Sequence, residues 1–185
     1  VVPNGVDVDR FRAADPVTES RERPYLLCVG RLEQYKGIQH AIRALVDLPE
    51  YDLVIAGSGP YGDDLRRMAR ETGVNDRVEF VGFVPEEDLP GLYAGAAVYI
   101  SLSSFEAYGT TVAEALAAGT PCVVREVGAL IDWTDRLDCV GVDLCRIADG
   151  VREAVGRAAP SESLPTWNDV AEDVDDIYER VAEKP

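Results

Sequence analysis

One rhythm constrains this chain more than any other feature. Short apolar runs, several of them ending in glycine, alternate with segments whose apolar residues recur every three or four positions. Tyr25–Gly30 (YLLCVG), Leu53–Gly57 (LVIAG), Arg77–Gly82 (RVEFVG), Ala97–Leu102 (AVYISL), Pro121–Val124 (PCVV) and Cys139–Val142 read as strands, mostly buried. Lys36–Leu48 places Ile38, Ala41, Ile42 and Leu45 at helical spacing, and Tyr61–Thr72, Glu86–Ala94, Thr110–Ala118, Leu144–Ala159 and Thr166–Ala182 also read as helices. Gly73 and Gly119 stop two of them. Strand followed by helix, with short connections, calls for a doubly wound, mostly parallel sheet covered by helices on both faces, a Rossmann-like α/β domain. Residues 1–24 read as a hinge and N-terminal loop with a turn at Pro3-Asn4-Gly5, 25–165 as the domain, and 166–185 as a C-terminal helix packing on it.

Composition narrows the function. The 185 residues carry 34 acids against 18 bases, a net charge of −16 that repels phosphate backbones and disfavours nucleic acid as a partner. Sixteen of the bases are Arg and only Lys36 and Lys184 are Lys, a balance resembling that of proteins from salt-loving organisms. No apolar run approaches the roughly 20 residues of a membrane span, and no leader-like segment is visible. Cys28, Cys122, Cys139 and Cys145 form no CxxC and read as small buried hydrophobes, which points to a reducing, cytoplasmic setting.

In doubly wound folds ligands bind beyond the carboxyl ends of the strands, so functional residues are expected just after each strand. After the first strand, Arg31 and Lys36 stand five apart in a glycine-bracketed turn (GRLEQYKG), where amides and a helix dipole favour an anion. Arg forks two phosphate oxygens and Lys adds a point charge; the competing reading pairs both with surface carboxylates such as Glu33. Gly57-Ser58-Gly59-Pro60-Tyr61-Gly62 matches GxGxxG, but it follows the second strand rather than the first and reads better as a tight loop. Gly82-Phe83-Val84-Pro85 offers an aromatic and main-chain groups at a strand tip that could line a base pocket, although a plain turn would look the same. After the fourth strand, Glu106 precedes a helix that contains Glu114, with Gly109 and Thr110 at its start. The helix start and Glu114 differ by roughly 6–8 Å along the axis, enough for the two carboxylates to engage different ends of one ligand. Glu114 sits among alanines, where a carboxylate is costly without a partner. His40 reads as a surface histidine, and Trp133 and Trp167 as packing residues.

Taken together, PNGVD at Pro3–Asp7, GRLxxxKG at Gly30–Gly37, AGSGP at Ala56–Pro60, VGFVP at Val81–Pro85 and SxxEAYGxxxxEALAAGTPCV at Ser103–Val123 resemble the C-terminal, donor-binding domain of the retaining GT-B glycosyltransferases of family 4, the group 1 class. The resemblance spans nearly the whole chain. It implies that Arg31 and Lys36 hold the donor diphosphate and that Gly82, Phe83 and Val84 flank the base. Gly57, Ser58 and Tyr108 join the donor site, Glu106 touches the donor sugar near the reacting carbon, Glu114 binds the ribose, and the helix start at Gly109, Thr110 and Thr111 caps the phosphate. Transfer of a hexose-type sugar from a nucleoside-diphosphate donor (UDP or GDP type) would proceed with retention and without a metal. No cofactor is implied beyond the donor, which is a substrate. The partner implied is an N-terminal acceptor domain, and the full-length enzyme is expected in the cytoplasm or on the cytoplasmic face of a membrane, where peripheral association stays open. Self-association of the isolated half stays open too.

The chain departs from the family after the fifth strand: Arg125–Asp132 (REVGALID) keeps only Gly128 of a GGxxE-like loop, with Arg125 a candidate substitute contact. Two rival readings follow, a nicotinamide-dependent oxidoreductase domain built on GSGPYG and a non-catalytic nucleotide-binding module.

Overall fold

The computed structural model describes residues 3–17, 21–155, 157 and 164–182. Its six strands are β1 (Tyr25–Val29), β2 (Asp52–Ala56), β3 (Val78–Gly82), β4 (Val98–Ser101), β5 (Cys122–Arg125) and β6 (Cys139–Val142), each within a residue or two of the apolar run that announces it. All pair in parallel, in the order β3-β2-β1-β4-β5-β6. This is the doubly wound sheet expected.

Alternation along each strand divides the core in two. Leu26, Cys28, Leu53 and Ile55 face one side, under α2 (Ile38–Ala44), α3 (Gly62–Glu71) and α6 (Ile147–Val155). Leu27, Val54, Tyr99 and Val124 face the other, under α1 (Val8–Arg12), α4 (Leu89–Ala94) and α5 (Thr110–Ala117).

Several expectations need correction. Within the stretch read as hinge and loop, Asp7 caps α1, and Phe11 packs edge-on against Tyr93, so that segment joins the core. The helix expected from Glu86 begins only at Leu89, because Pro85–Asp88 first closes a turn through the Asp88 amide and Pro85 carbonyl. Residues 128–133 form a 3-10 helix (Gly128–Trp133) that periodicity did not reveal. Cys145 is exposed while the other three cysteines are buried. Trp133 is a packing residue, but Trp167 is mostly exposed and sits over Gly5. Helix α7 (Trp167–Ala182) buries none of its residues, leaving Ile177, Tyr178 and Val181 exposed. Of the expected continuation of α6 to Ala159, Arg157 is a bend and the other residues lie outside those described.

Candidate functional site

The strand order reverses between β1 and β4, which lie side by side and send their following loops to opposite faces of the sheet. A crevice opens at such a switch point. Its two walls are residues 30–37 and 102–109, and backbone contacts fix their spacing. The Ser104 amide donates to the Tyr35 carbonyl at 2.8 Å. Gly37, at φ +75°, lies so close to Leu102 that a Cβ there would stand 2.1 Å from the Leu102 carbonyl oxygen. Only glycine allows this approach.

Across that junction the Lys36 Nζ reaches the Glu106 Oε1 at 2.5 Å, and the Ser103 hydroxyl donates to the same oxygen at 2.9 Å. Lys36 and Glu106 side chains are 22% and 18% exposed, so the pair is largely screened from water. Thr111, in the first turn of α5, lines the same small recess. Gly109 at φ +93° starts that helix, and Thr110 is exposed beside it.

A wider cleft of about 530 Å³ adjoins on the β2 and β3 side, lined by Gly30, Arg31, Gly57, Ser58, Phe83 and Val84 among others. The loops that build it are stitched together: the Leu32 amide bonds to the Ser58 carbonyl, and the Gly57 amide to the Gly82 carbonyl. A Cβ at Gly57 would sit 1.9 Å from the Gly30 oxygen. The GxGxxG glycines are therefore the close contact between two loops. Nothing in this arrangement supports the oxidoreductase reading. Phe83 is 78% exposed, an apolar ring standing free at the mouth of the cleft. Arg31 is also exposed, with Glu33 its nearest carboxylate at 3.3 Å. The competing reading thus describes the pairing of Arg31 correctly, whereas Lys36 turns to Glu106.

Two expected residues lie apart from this cleft. Tyr108 stacks edge-on against Trp133 and accepts the Trp133 indole N–H at its carbonyl (2.7 Å), lining a separate cavity of about 740 Å³. Glu114, one turn into α5, is half-buried and accepts a hydrogen bond from the Tyr93 hydroxyl at 2.9 Å. Burial pushes its carboxyl above the usual range; the Tyr93 bond opposes this, nearby Glu86 adds to it, and Arg10 opposes it. His40 is half-buried rather than fully exposed, and burial together with Arg43 and Arg125 lowers its imidazole.

Sequence reasoning gave no role to Ser103, Tyr93 or Arg10. Only Ser103 left a trace, three residues before Glu106. Arg10 donates to both the side chain and the main-chain carbonyl of Glu86, tying α1 to the turn that follows Phe83 and Val84.

A doubly wound sheet with cations, a carboxylate and a helix start gathered at its switch point defines a domain of the nucleotide-binding α/β class. Comparison narrows this: the family model described as Glycosyl transferases group 1 matches residues 9–133, and the chain belongs to that family. It is similar to the D-inositol 3-phosphate glycosyltransferase of Corynebacterium jeikeium, 34% identical over an alignment covering 98% of this chain and 51% of that protein. It is also similar to the GDP-mannose-dependent alpha-(1-6)-phosphatidylinositol monomannoside mannosyltransferase of Mycolicibacterium smegmatis (37% identical; 90% and 52% covered). In structure it resembles the sucrose-phosphate synthase of Thermosynechococcus elongatus, with a TM-score of 0.83, 26% identity, and coverage of 100% of this chain and 53% of that one. The chain spans about half the length of these proteins, one GT-B half.

Proposed function

We propose that this chain is the nucleotide-sugar-binding half of a retaining hexosyltransferase, with the acceptor site on a second domain. One observation carries the reading: the Lys36–Glu106 pair, seated at the switch point beside the start of α5 and the cleft holding Arg31. The base would lie against Phe83, Val84 and the backbone of Gly82, with Gly57 and Ser58 forming the opposite wall. Arg31 and Lys36 would hold the diphosphate and stabilise the charge that develops on it as the glycosidic bond breaks. The amides of Gly109–Thr111 would face the same oxygens from the helix start. That set of donors can do the work of a divalent metal, and the proposed transfer uses none.

Glu106 would meet the donor sugar near its reacting carbon, and Glu114 the ribose. The Mycolicibacterium relative is named for GDP-mannose, which makes a purine donor a sensible first probe beside UDP-sugars. No helix among the described residues is long and apolar enough to cross a membrane.

Titration calorimetry with UDP, GDP, UDP-glucose and GDP-mannose tests the site. The Arg31→Ala/Lys36→Ala double variant should bind the diphosphates at least tenfold more weakly, each lost charge-assisted contact being worth roughly 1.5–3 kcal/mol. UMP and GMP should lose less. Unchanged affinity for the diphosphates overturns the assignment.

A further inference from the structure

Glu114 is held by a single side chain. The Tyr93 hydroxyl donates to its Oε2 at 2.9 Å, and among the described residues no other hydrogen bond reaches this carboxylate. Tyr93 is fully buried at 0% exposure, so its hydroxyl has no access to water. Its ring is clamped edge-on by Phe11 (5.8 Å between centroids) and Tyr99 (5.4 Å). Its carbonyl accepts the Thr120 hydroxyl at 2.6 Å, fixing α4 against the end of α5. A phenol locked in this way has one rotamer and one partner.

From this geometry we propose that Tyr93 is a positioning residue: by occupying Oε2 it fixes the plane of the Glu114 carboxylate and leaves Oε1 as the acceptor for a ribose diol. The proposal rests on the reading of Glu114 given above and extends it to a residue that never touches the nucleotide. Four groups face this carboxylate: Tyr93 from α4, Arg10 from α1, Glu86 from the turn before α4, and Tyr99 from β4. Among the described residues only Tyr93 bonds to it. The bond is made to the ionised form, which is the form able to accept two hydroxyls.

The test compares Tyr93→Phe, Glu114→Ala and the native chain in calorimetric titrations with UDP, GDP and their 2′-deoxy counterparts from pH 4.5 to 8. Tyr93→Phe keeps the ring. It should weaken UDP or GDP binding about tenfold, the value of one hydrogen bond to a charged group, with a smaller effect on the 2′-deoxy compounds. Binding should also begin to fail at a higher pH than in the native chain, because the carboxyl then holds its proton longer. A residue that merely fills space would leave the pH profile and the ribose preference unmoved.

If Glu114→Ala binds like the native chain, the site reading itself fails. If Glu114→Ala weakens binding while Tyr93→Phe changes neither affinity nor pH profile, the positioning role is overturned and the site reading survives. Should Tyr93→Phe not fold, carbon-13 carboxyl NMR of the native chain decides: a Glu114 resonance titrating above the other glutamates and shifting on UDP or GDP addition supports the proposal, and one that does neither overturns it.

Discussion

Lys36 and Glu106, seventy positions apart in sequence, share a 2.5 Å ion pair across the one point where the sheet reverses its winding. Each therefore neutralises the other in the free protein, and a diphosphate approaching Lys36 meets the Glu106 carboxylate beside it. Glu106→Gln should remove that competition. We expect the variant to bind UDP or GDP about three- to tenfold more tightly at low salt, the gap shrinking as salt screens it. Transfer by the rejoined two-domain enzyme should nevertheless collapse. Weaker diphosphate binding by Glu106→Gln would count against a diphosphate at Lys36.

Gly37 sets this pairing from the backbone. Its φ of +75° and the 2.1 Å approach of a would-be Cβ to the Leu102 oxygen leave no room for a side chain. Gly37→Ala should cost roughly 2 kcal/mol or more in urea unfolding, of the size seen when strain and a steric clash coincide. Residual folded protein should also bind nucleotide poorly, since the two walls of the crevice must separate. A variant with native stability would show that the loops give way easily.

The fold was legible because its signals are local. Tyr25–Gly30 and Leu53–Gly57 are continuous apolar runs ended by glycine, and such runs buried on both faces hardly depend on their neighbours. Helix α1 was hidden because five residues carry too few apolar positions to show a period; it exists because Phe11 finds Tyr93 across the fold. The site was legible one loop at a time. Arg31, Lys36, Glu106 and Glu114 stand out by their position after strands, yet which of them meet depends on strand order, which no single segment encodes. Tyr93 was invisible for a different reason. On an apolar helix face a tyrosine reads as core, and its hydroxyl acquires a partner only when α4 and α5 are brought together. Cys145 and Trp167 were misplaced because residue type was weighed without its flank.

Arg77 should separate stability from function. Its guanidinium donates to the carbonyls of Leu45, Leu48 and Tyr51 at 2.8, 2.8 and 3.0 Å, closing the end of the α2 segment that carries no ligand residue. Arg77→Ala removes three donors at once, leaving the Leu45 and Leu48 carbonyls only the Leu48 and Tyr51 amides, and should cost about 2–3 kcal/mol in urea unfolding. Affinity for UDP or GDP should stay within twofold. A large loss of nucleotide binding with stability intact would mean that this end of the sheet belongs to the site after all.

Glu114 makes a prediction about pH. Its carboxyl lies above the usual value of 4.5 in the folded chain, chiefly through burial. Between the unfolded and folded titration points the native state therefore binds more protons, so this group's contribution to stability falls as pH rises through that window. Glu114→Gln, which can still accept from Tyr93, should match the native chain below pH 4.5, where both are neutral. It should exceed the native chain at pH 7, where only the native chain holds a half-buried charge. Equal thermal unfolding of the two at both pH values would show that the carboxylate is not strained by its surroundings.

Salt should stabilise the whole chain. Helix α7 carries Asp169, Glu172, Asp173, Asp175, Asp176 and Glu179 against Arg180 alone, so like charges face each other at i,i+4 across Asp169–Asp173, Glu172–Asp176 and Asp175–Glu179. The rest of the chain raises the imbalance to −16. Such repulsion reaches over about 30 Å in 0.01 M salt but only about 3 Å at 1 M, and it destabilises the compact state. The melting temperature should climb by several degrees between 0.01 and 1 M KCl, with most of the gain reached once the screening length falls below the spacing of neighbouring carboxylates. Amide exchange in α7 should slow over the same range, ahead of the sheet. The same titration bears on the salt-loving composition: an acid-rich surface adapted to brine should go on gaining stability above 1 M, where simple screening has already saturated, whereas a merely acidic surface should level off there. A melting temperature indifferent to salt would show that the excess carboxylates are too well hydrated to repel one another.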